Sequence, residues 1–350
     1  MIIRSKAPLR ISFAGGGTDV SPYPETKGGA VLNVTIDKYA YCTLAKRMDD
    51  VINAYSLDYD ILAKYSNEDD LNYDGKLDLV KAAIKVLNAG SGYDLFLHSD
   101  APPGSGLGAS STVTVALTGC LKDWLKLSFN NYDVAEAAYR IERDELKLPG
   151  GRQDQYAAAF GGFNFVEFYD GFTVVNPLRL KPETINELEY RLMMCFTGKT
   201  RLSAGIIEDQ VSGYVKGKEE IIQAMDNTKE LAYQMKNALL LGRLNDLGQL
   251  LHEGWKHKKK FSTKITDPSI DELYEEARKN GVIGGKLLGA GGGGYLLLFC
   301  EFDKKHVVAQ KLEKMGGKVI PFAFDFHGLQ TWEVANGAFT EHALKYQWAS

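Results

Sequence analysis

A glycine-rich segment between a strand pattern and a helix pattern limits most strongly how this chain can fold. Residues 93–98 alternate apolar and polar side chains, as a half-buried strand does, and from Ala109 the apolar residues recur with helical spacing. Residues 102–111 read Pro-Pro-Gly-Ser-Gly-Leu-Gly-Ala-Ser-Ser. Glycine lets backbone N–H groups approach a ligand closely, and a helix N-terminus adds unpaired donors and a positive dipole end. A strand, this loop and a helix in that order predict an anion-binding loop, since a plain capped turn needs fewer such residues.

The serines and the absence of a lysine indicate which class of anion-binding loop residues 102–111 form. Ser110 and Ser111, in the first turn of the helix, can offer hydroxyls to a phosphate oxygen or to a bound Mg²⁺. A Walker loop is excluded, because no lysine occupies the loop. Gly104, Gly106 and Ala109 fit the looser dinucleotide pattern G-x-G-x-x-G/A, but a second helix follows where that pattern requires a strand. A dinucleotide-dependent oxidoreductase is therefore the alternative from another enzyme class.

Two further glycine-rich stretches lie near the two ends of the chain. Gly15-Gly16-Gly17 follows a strand pattern and can present Asp19 to a ligand, although a plain loop with an Asx-type turn is the simpler interpretation. Residues 289–294 also fit G-x-G-x-x-G, but a strand pattern follows them, so no helix N-terminus is available there. We expect this last stretch to mark a close approach between two backbone segments.

Strand patterns dominate the first half of the chain and helix patterns the second. Strands at residues 30–36 and 39–45 are predicted to form a hairpin at Asp37-Lys38, and a single helix is predicted over residues 132–147. Beyond Pro177 and Pro182 the composition changes, with helices expected within 206–251 and at 269–280. Such segregation is typical of an α+β fold, and 350 residues exceed what one core usually accommodates. We expect two domains, residues 1–185 and 186–350.

Charge and cysteine content exclude other classes of protein. A formal net charge of −4 argues against a nucleic-acid-binding protein. The one basic cluster, residues 256–260, lies in a polar helical stretch, where a solvated face is favoured and a phosphate-attracting patch is the alternative. The scattered cysteines exclude a CxxC metal or redox motif and predict buried free thiols. Without a leader pattern or a long apolar run, we expect a cytoplasmic protein with no membrane partner; the sequence leaves the oligomeric state open.

Taken together, the three glycine stretches resemble the three motifs of the GHMP kinases, the family of galactokinase, homoserine kinase, mevalonate kinase and phosphomevalonate kinase. The motifs correspond to residues 6–19, 102–111 and 286–294, so the resemblance spans nearly the whole chain. It implies an α+β architecture with a ribosomal-protein-S5-like N-terminal domain, a ferredoxin-like C-terminal domain and ATP between them. The nucleotide-binding residues that it implies are Pro103, Gly104, Ser105, Gly106, Leu107, Gly108, Ala109, Ser110 and Ser111.

Within this family the chain resembles most the bacterial kinases of D-glycero-D-manno-heptose 7-phosphate, through residues 10–19, 110–112 and 150–156. This resemblance implies that the γ-phosphate of ATP is transferred to the anomeric hydroxyl of a sugar phosphate, giving a 1,7-bisphosphate. A fucokinase-like enzyme, or a kinase of the galactose or mevalonate type, is the alternative within the family. A non-catalytic binding protein of the same fold is a further alternative, against which the presence of Asp154 and Glu142 argues.

Two departures from the family pattern bear on substrate and metal. Galactokinases carry an acidic residue and a histidine before the sugar-binding aspartate, whereas here Gly16-Gly17-Thr18 precede Asp19, which argues against galactose. Ala109 stands where the family more often has serine, and this moves the expected metal-binding hydroxyl to Ser110.

The resemblance also implies individual roles. Asp154 is the expected base for the attacking hydroxyl and Arg10 the cation beside it, with Lys6 as the competitor for that position. The simpler interpretations are a first-turn aspartate and a strand-edge arginine on the surface. Glu142 and Ser110 are the expected Mg²⁺ ligands, with a solvated helix face as the alternative for Glu142.

Substrate recognition needs hydroxyl acceptors and cations. The resemblance assigns sugar hydroxyls to Asp19 and its loop, and a phosphate already on the sugar requires basic side chains. The residues expected to bind the substrate are Gly16, Gly17, Thr18, Asp19, Arg152 and Arg201, with Lys199 as a further candidate.

Overall fold

The computed structural model describes residues 1–66, 68–200 and 204–334 of the chain. The strands of this part fall into two sheets. The strands of the first sheet are β1 Ile2–Ala14, β2 Gly29–Lys46, β3 Ile52–Ser56, β4 Ile61–Tyr65, β5 Tyr93–Ser99, β6 Phe163–Tyr169, β7 Phe172–Pro177 and β12 Gln330–Glu333. Those of the second are β8 Leu192–Phe196, β9 Val282–Leu287, β10 Tyr295–Cys300 and β11 Lys318–Ile320.

The order of the first sheet is β12-β1-β2-β5-β3-β4, with the hairpin of β6 and β7 attached through β6 to β2. The order of the second is β11-β8-β10-β9. The helices are α1 Tyr23–Lys27, α2 Asp78–Leu87, α3 Ala109–Trp124, α4 Asn131–Tyr139, α5 Gln153–Phe160, α6 Pro182–Arg191, α7 Ala204–Val215, α8 Glu219–Leu240, α9 Leu244–Lys258, α10 Pro268–Lys279 and α11 Lys305–Lys314.

Strand β2 organises the first sheet, and it shows that the predicted hairpin at Asp37-Lys38 is wrong. The strand runs without a turn through both residues and pairs with β1 along most of its length. Its first half pairs on the other side with β6 and its second half with β5. The backbone N–H of Asp37 donates to the carbonyl of Ala323 at 2.9 Å, and the N–H of Ala323 donates to the Asp37 carboxylate at 2.9 Å. The segment around Ala323, which is far away in the sequence, therefore holds Asp37 in the sheet.

Two other elements differ from the sequence patterns. The α-helix predicted over residues 132–147 ends at Tyr139 and continues as a π-helix, Arg140–Glu145. Strand β9 has no clear strand pattern because it contains Gly284 and Gly285, which have low strand propensity. A Cβ on Gly284 would overlap the main chain of Gly248 in α9, so the glycine permits a helix to pack directly on the strand.

The two sheets share a hydrophobic core. Leu9, Ile11 and Phe13 of β1 pack in one buried cluster with Leu297 of β10 and Leu251 of α9. Each such side chain contributes about 1.5–3 kcal/mol when fully buried. This shared core fixes β1, which carries the first glycine stretch at its end, against the second sheet.

The cysteines agree with the sequence expectation. Cys42, Cys120, Cys195 and Cys300 are all buried free thiols, as predicted. Among the described residues, none of the helices combines the length and apolar character needed to cross a membrane.

Candidate active site

A cleft of about 420 Å³ brings the three glycine stretches together. Gly16 and Gly17 of the first stretch line it, as do most of residues 103–111 and several residues of the third stretch. Of the predicted nucleotide-binding residues, Leu107 is buried behind the loop and does not line the cleft. The arrangement places a glycine loop, three carboxylates and three cations of the described residues around one solvent-accessible space.

The loop before α3 has the geometry of an anion-binding nest. Gly104, Gly106 and Gly108 have φ angles of 75°, 86° and 76°, so every second residue is left-handed. Such alternation turns successive N–H groups toward one side of the chain. Gly108 caps α3 without any side-chain hydrogen bond to the helix, which leaves the first-turn donors for a ligand. The Ser105 hydroxyl is buried without a hydrogen-bond partner within the described part of the chain. These features fit a phosphate group.

The third glycine stretch supports this loop from behind, and the predicted close backbone approach is confirmed. A Cβ on Gly106 would lie 2.6 Å from the carbonyl oxygen of Leu288, and one on Gly289 would lie 2.5 Å from the Cα of Gly106. The N–H of Tyr295 donates to the carbonyl of Ser105 at 3.2 Å. Because real Cβ atoms do not occur at such distances, glycine is required on both sides of the contact.

Arg10 and Asp154 form a partly buried ion pair at the mouth of the loop. Arg10 contacts the same carboxylate oxygen, Oδ1, through Nε at 2.7 Å and through Nη2 at 2.6 Å. Its Nη1 donates to the carbonyl of Gly106 at 2.6 Å, and only 4% of its side chain is exposed. The surface interpretation of Arg10 is therefore wrong. Lys6, the competitor, lies over the ring of Tyr39 at 4.7 Å and does not line the cleft.

Asp154 keeps its second carboxylate oxygen available. A Cβ on Gly108 would lie 3.1 Å from Oδ2 of Asp154, so this oxygen faces the phosphate loop at the residue that precedes α3. The aspartate side chain is 22% exposed, in contrast to its arginine partner. A carboxylate held by one oxygen, with the other directed at a phosphate-binding loop, can accept a proton from a nucleophile beside that phosphate.

Glu142 is buried beside the same loop, so the solvated-face interpretation is wrong. It is 1% exposed and accepts hydrogen bonds from Ser111 Oγ at 2.8 Å and from the Gln155 amide. Burial raises the pKa of Glu142, whereas the neighbouring Arg143 guanidinium and these donors act in the opposite direction. Ser110, the predicted partner, lines the cleft with an exposed side chain, and Ser111 makes the contact instead.

Asp19 lies in the wall of the cleft, next to the start of α5. Its Oδ1 accepts from Gly17 N at 2.9 Å, and its Oδ2 accepts from Gln153 N at 3.1 Å. Burial raises the pKa of Asp19, the Gln153 and Gly17 N–H groups lower it, and the charge of Asp154 raises it. A Cβ on Gly151 would overlap the carboxylate, which explains the glycine there. Gly16 and Gly17 complete this wall.

Three of the predicted substrate residues are not brought to the cleft among the described residues. Thr18 is fully buried, and its hydroxyl donates to the carbonyl of Gly15 at 2.8 Å, so it holds the loop. Arg152 lies 3.2 Å from Glu25 and stacks on the ring of Tyr139. Lys199 pairs with Asp267 at the surface. Arg201 lies outside the described residues.

Sequence reasoning missed Lys258. The solvated-face interpretation of residues 256–260 is wrong at this position, because Lys258 is 7% exposed and lines the cleft. Its Nζ donates to the carbonyls of Leu287 at 2.8 Å and Gly289 at 2.5 Å. Burial lowers the pKa of Lys258 well below its usual value, and the charges of Lys286 and Arg10 act in the same direction. The signal was present in the sequence, since Lys258 continues the apolar face of α9 that includes the buried Leu251 and Trp255.

Comparisons with known proteins agree with this geometry. The model for the N-terminal domain of GHMP kinases matches residues 78–162, and that for the C-terminal domain matches residues 235–318. D-glycero-alpha-D-manno-heptose 7-phosphate kinase of Campylobacter jejuni is 40% identical over 338 residues, which cover 95% of this chain and 99% of that protein.

Solved structures show the same relationship. The crystal structure of a D-glycero-D-manno-heptose 1-phosphate kinase from Bacteroides thetaiotaomicron has a TM-score of 0.81 at 34% identity, covering 95% of this chain and 99% of that one. Lactococcus lactis galactokinase, complexed with galactose, has a TM-score of 0.76 at 19% identity, covering 95% of each chain, which bears on the fold alone.

These matches confirm the family resemblance, the α+β fold class and the enzyme class that the three motifs predict. The chain therefore belongs to the GHMP kinase family, and as a kinase of this family it uses ATP as its phosphate donor.

Proposed function

We propose that this enzyme transfers the γ-phosphate of MgATP to the anomeric hydroxyl of D-glycero-D-manno-heptose 7-phosphate, giving the 1,7-bisphosphate. The 40% identity to a heptose 7-phosphate kinase, over nearly the full length of both chains, supports this substrate. The ion pair of Arg10 and Asp154 at the mouth of the phosphate loop carries the proposal, because it supplies an oriented base where the acceptor hydroxyl must meet the terminal phosphate.

The mechanism relies on positioning and on charge stabilisation, which dominate phosphoryl transfer. The N–H groups of residues 104–111 and the N-terminus of α3 hold the nucleotide's phosphates. Arg10 fixes Oδ1 of Asp154, and Oδ2 accepts the proton of the anomeric hydroxyl as the new O–P bond forms. The bond between the γ-phosphorus and its bridging oxygen breaks, and ADP leaves.

We further propose that Glu142 holds Mg²⁺ together with a serine hydroxyl of α3, either the predicted Ser110 or Ser111. No group of three or more acidic, histidine or cysteine side chains suited to a metal occurs in residues 1–66, 68–200 and 204–334. Mg²⁺ bound to ATP needs few protein oxygens, so a carboxylate and a hydroxyl suffice. The buried Oε1 of Gln155, on a side chain that contacts Glu142, has no hydrogen-bond partner among the residues that the structure describes, and it also fits a cation there. When bound, the ion neutralises charge on the terminal phosphates.

Sugar recognition is assigned to Asp19 and its surroundings. Its carboxylate is a candidate acceptor for sugar hydroxyls, within a wall formed by Gly16, Gly17 and Gln153. For the phosphate already on the sugar the proposed cations are Arg152, Arg201 and Lys199; Arg152 and Lys199 would have to exchange Glu25 and Asp267 for that phosphate. We also keep residues 1–185 and 186–350 as the proposed domains.

A substrate panel tests the proposal. Purified enzyme is given MgATP with heptose 7-phosphate, fucose, galactose or mevalonate, and ADP release is followed together with ³¹P NMR of the product. We expect turnover with the heptose phosphate and a new phosphate resonance coupled to the anomeric proton. Turnover confined to another acceptor, or phosphorylation at another hydroxyl, contradicts the proposal. Asp170→Asn, in the exposed turn between β6 and β7, serves as an aspartate control for variants at Asp154.

A further inference from the structure

Lys258 differs from the other cations of the cleft in having no acidic partner within residues 1–66, 68–200 and 204–334. The basic side chains that line the cleft in the described part of the chain are Arg10, Arg143 and Lys258. Arg10 pairs with Asp154 at 2.6 Å, and Arg143 lies 3.5 Å from Glu142. Among the described residues, the ammonium group of Lys258 donates to two carbonyl oxygens, those of Leu287 and Gly289. A buried cation without a counter-charge is unfavourable, so this arrangement lacks an anion.

The position of Lys258 indicates where that anion lies. Arg10 donates to the carbonyl of Gly106, and Gly106 packs directly against Gly289, whose carbonyl accepts from Lys258. Arg10 therefore donates to the phosphate loop, and Lys258 donates to the third glycine stretch at the point where it contacts that loop. Since an ammonium group has three N–H donors and two of them are used, one remains.

We propose that Lys258 donates this remaining N–H to an oxygen of the transferred phosphoryl group. This inference rests on the proposed placement of the nucleotide. Arg10 also holds the base Asp154, so the phosphate nearest to both Arg10 and Lys258 is the one that meets the acceptor hydroxyl, which is the terminal one. A fixed cation there stabilises the charge that spreads over the equatorial oxygens during transfer.

The charges around Lys258 support the same conclusion. The charged groups that act on it are Arg10 of β1 and Lys286 of β9, and burial adds to their effect in lowering the pKa of Lys258. Burial also lowers the pKa of Lys286, to about 7. Lys286 is itself 6% exposed and donates to the carbonyl of Phe13 at 3.1 Å. A phosphate that arrives in this positive surrounding raises the pKa of Lys258, and binding is then accompanied by proton uptake.

The test compares a non-hydrolysable ATP analogue with ADP, both with Mg²⁺, by isothermal titration calorimetry. The variants are Lys258→Met and the matched control Lys256→Met, on the same helix but 52% exposed and paired with Glu253 at 2.8 Å. We expect Lys258→Met to weaken analogue binding about tenfold or more and to leave ADP binding nearly unchanged. Lys256→Met should change neither. Titrations in two buffers of different ionisation enthalpy should show proton uptake with the analogue for the unaltered enzyme and a smaller uptake for Lys258→Met, in which Lys286 is the remaining buried lysine.

Other outcomes overturn the inference. Equal weakening of analogue and ADP means that Lys258 only ties the third glycine stretch to α9, and unchanged analogue binding means that it does not reach the phosphate. If the unaltered enzyme binds neither nucleotide, the proposed nucleotide site itself fails, which is a separate result. Should Lys258→Met not fold, Lys258→Gln keeps an amide donor for the carbonyls without the charge, and the same selective loss is expected from it.

Discussion

Replacing Asp154 with asparagine removes the proposed base while its shape is kept. The amide can still occupy the space beside Gly108, but it cannot accept the hydroxyl proton. A general base contributes about 10²–10⁴-fold to the rate, so kcat should fall by at least about 100-fold. The phosphates are held by the main chain of the loop and by α3, so the affinity for the ATP analogue should change by less than about threefold, or about 0.65 kcal/mol.

The effect on stability can also be worked from the contacts. Arg10 is 4% exposed and loses the charged acceptor at 2.6 Å, which argues for destabilisation. It keeps the Gly106 carbonyl at 2.6 Å, and Asp154 is 22% exposed, so the figure of about 3–5 kcal/mol for breaking a fully buried pair is too large. We expect a loss of about 1–3 kcal/mol in the free energy of unfolding, comparable to one charge-assisted hydrogen bond.

The assay is single-turnover phosphoryl transfer at saturating MgATP, with urea unfolding of the same preparations. Asp170→Asn, which removes an exposed carboxylate, should match the unaltered enzyme in both measurements. Retention by Asp154→Asn of more than about a tenth of kcat, a barrier change below about 1.4 kcal/mol, would refute the assignment of Asp154 as the base.

Three further predictions concern the loop, the sugar wall and the buried acid. Gly108→Ala should weaken binding of the ATP analogue, measured by calorimetry, because φ is 76° and the new Cβ would lie 3.0 Å from the Asp154 carboxyl carbon; unchanged affinity would show that the loop does not need this geometry. Gly151→Ala should raise the KM for the sugar while analogue affinity is kept, because the methyl group displaces the Asp19 carboxylate; a loss confined to nucleotide binding would contradict the sugar assignment. Glu142→Gln tests the raised pKa of Glu142: the protonated acid favours the folded state, so its contribution is fully present below the unfolded pKa of about 4.5 and is lost as pH rises through the folded value. In measurements without metal, the Tm of the unaltered enzyme should therefore fall relative to that of Glu142→Gln as the pH rises through this range. A Tm difference that does not change with pH would contradict a raised pKa of Glu142.

The sequence predicted those features that a local pattern or a family motif can carry. Residues 102–111 predicted a glycine loop ahead of a helix N-terminus, which the structure has, and the glycines of the third stretch predicted its close backbone contact. The motifs also named Arg10 and Asp154, and the structure pairs them. Their catalytic roles stay predictions until the variants are measured.

What the sequence did not predict depends on contacts between distant segments. Asp37 lies inside a strand because Ala323 bonds to it, and Ser111 rather than Ser110 contacts Glu142 because of how α3 faces the π-helix. Arg152 is held by Glu25, a partner that no local pattern indicates. The burial of Lys258 could have been predicted, since the helical register places this residue on the buried face of α9.

A crystal structure of the enzyme with Mg²⁺ and a non-hydrolysable ATP analogue would show where the nucleotide's phosphates bind. We predict β- and γ-phosphate oxygens within about 3 Å of N–H groups in residues 104–111, with the γ-phosphate facing Oδ2 of Asp154. Phosphates bound elsewhere, with these residues closed against the third glycine stretch, would contradict the proposed nucleotide site.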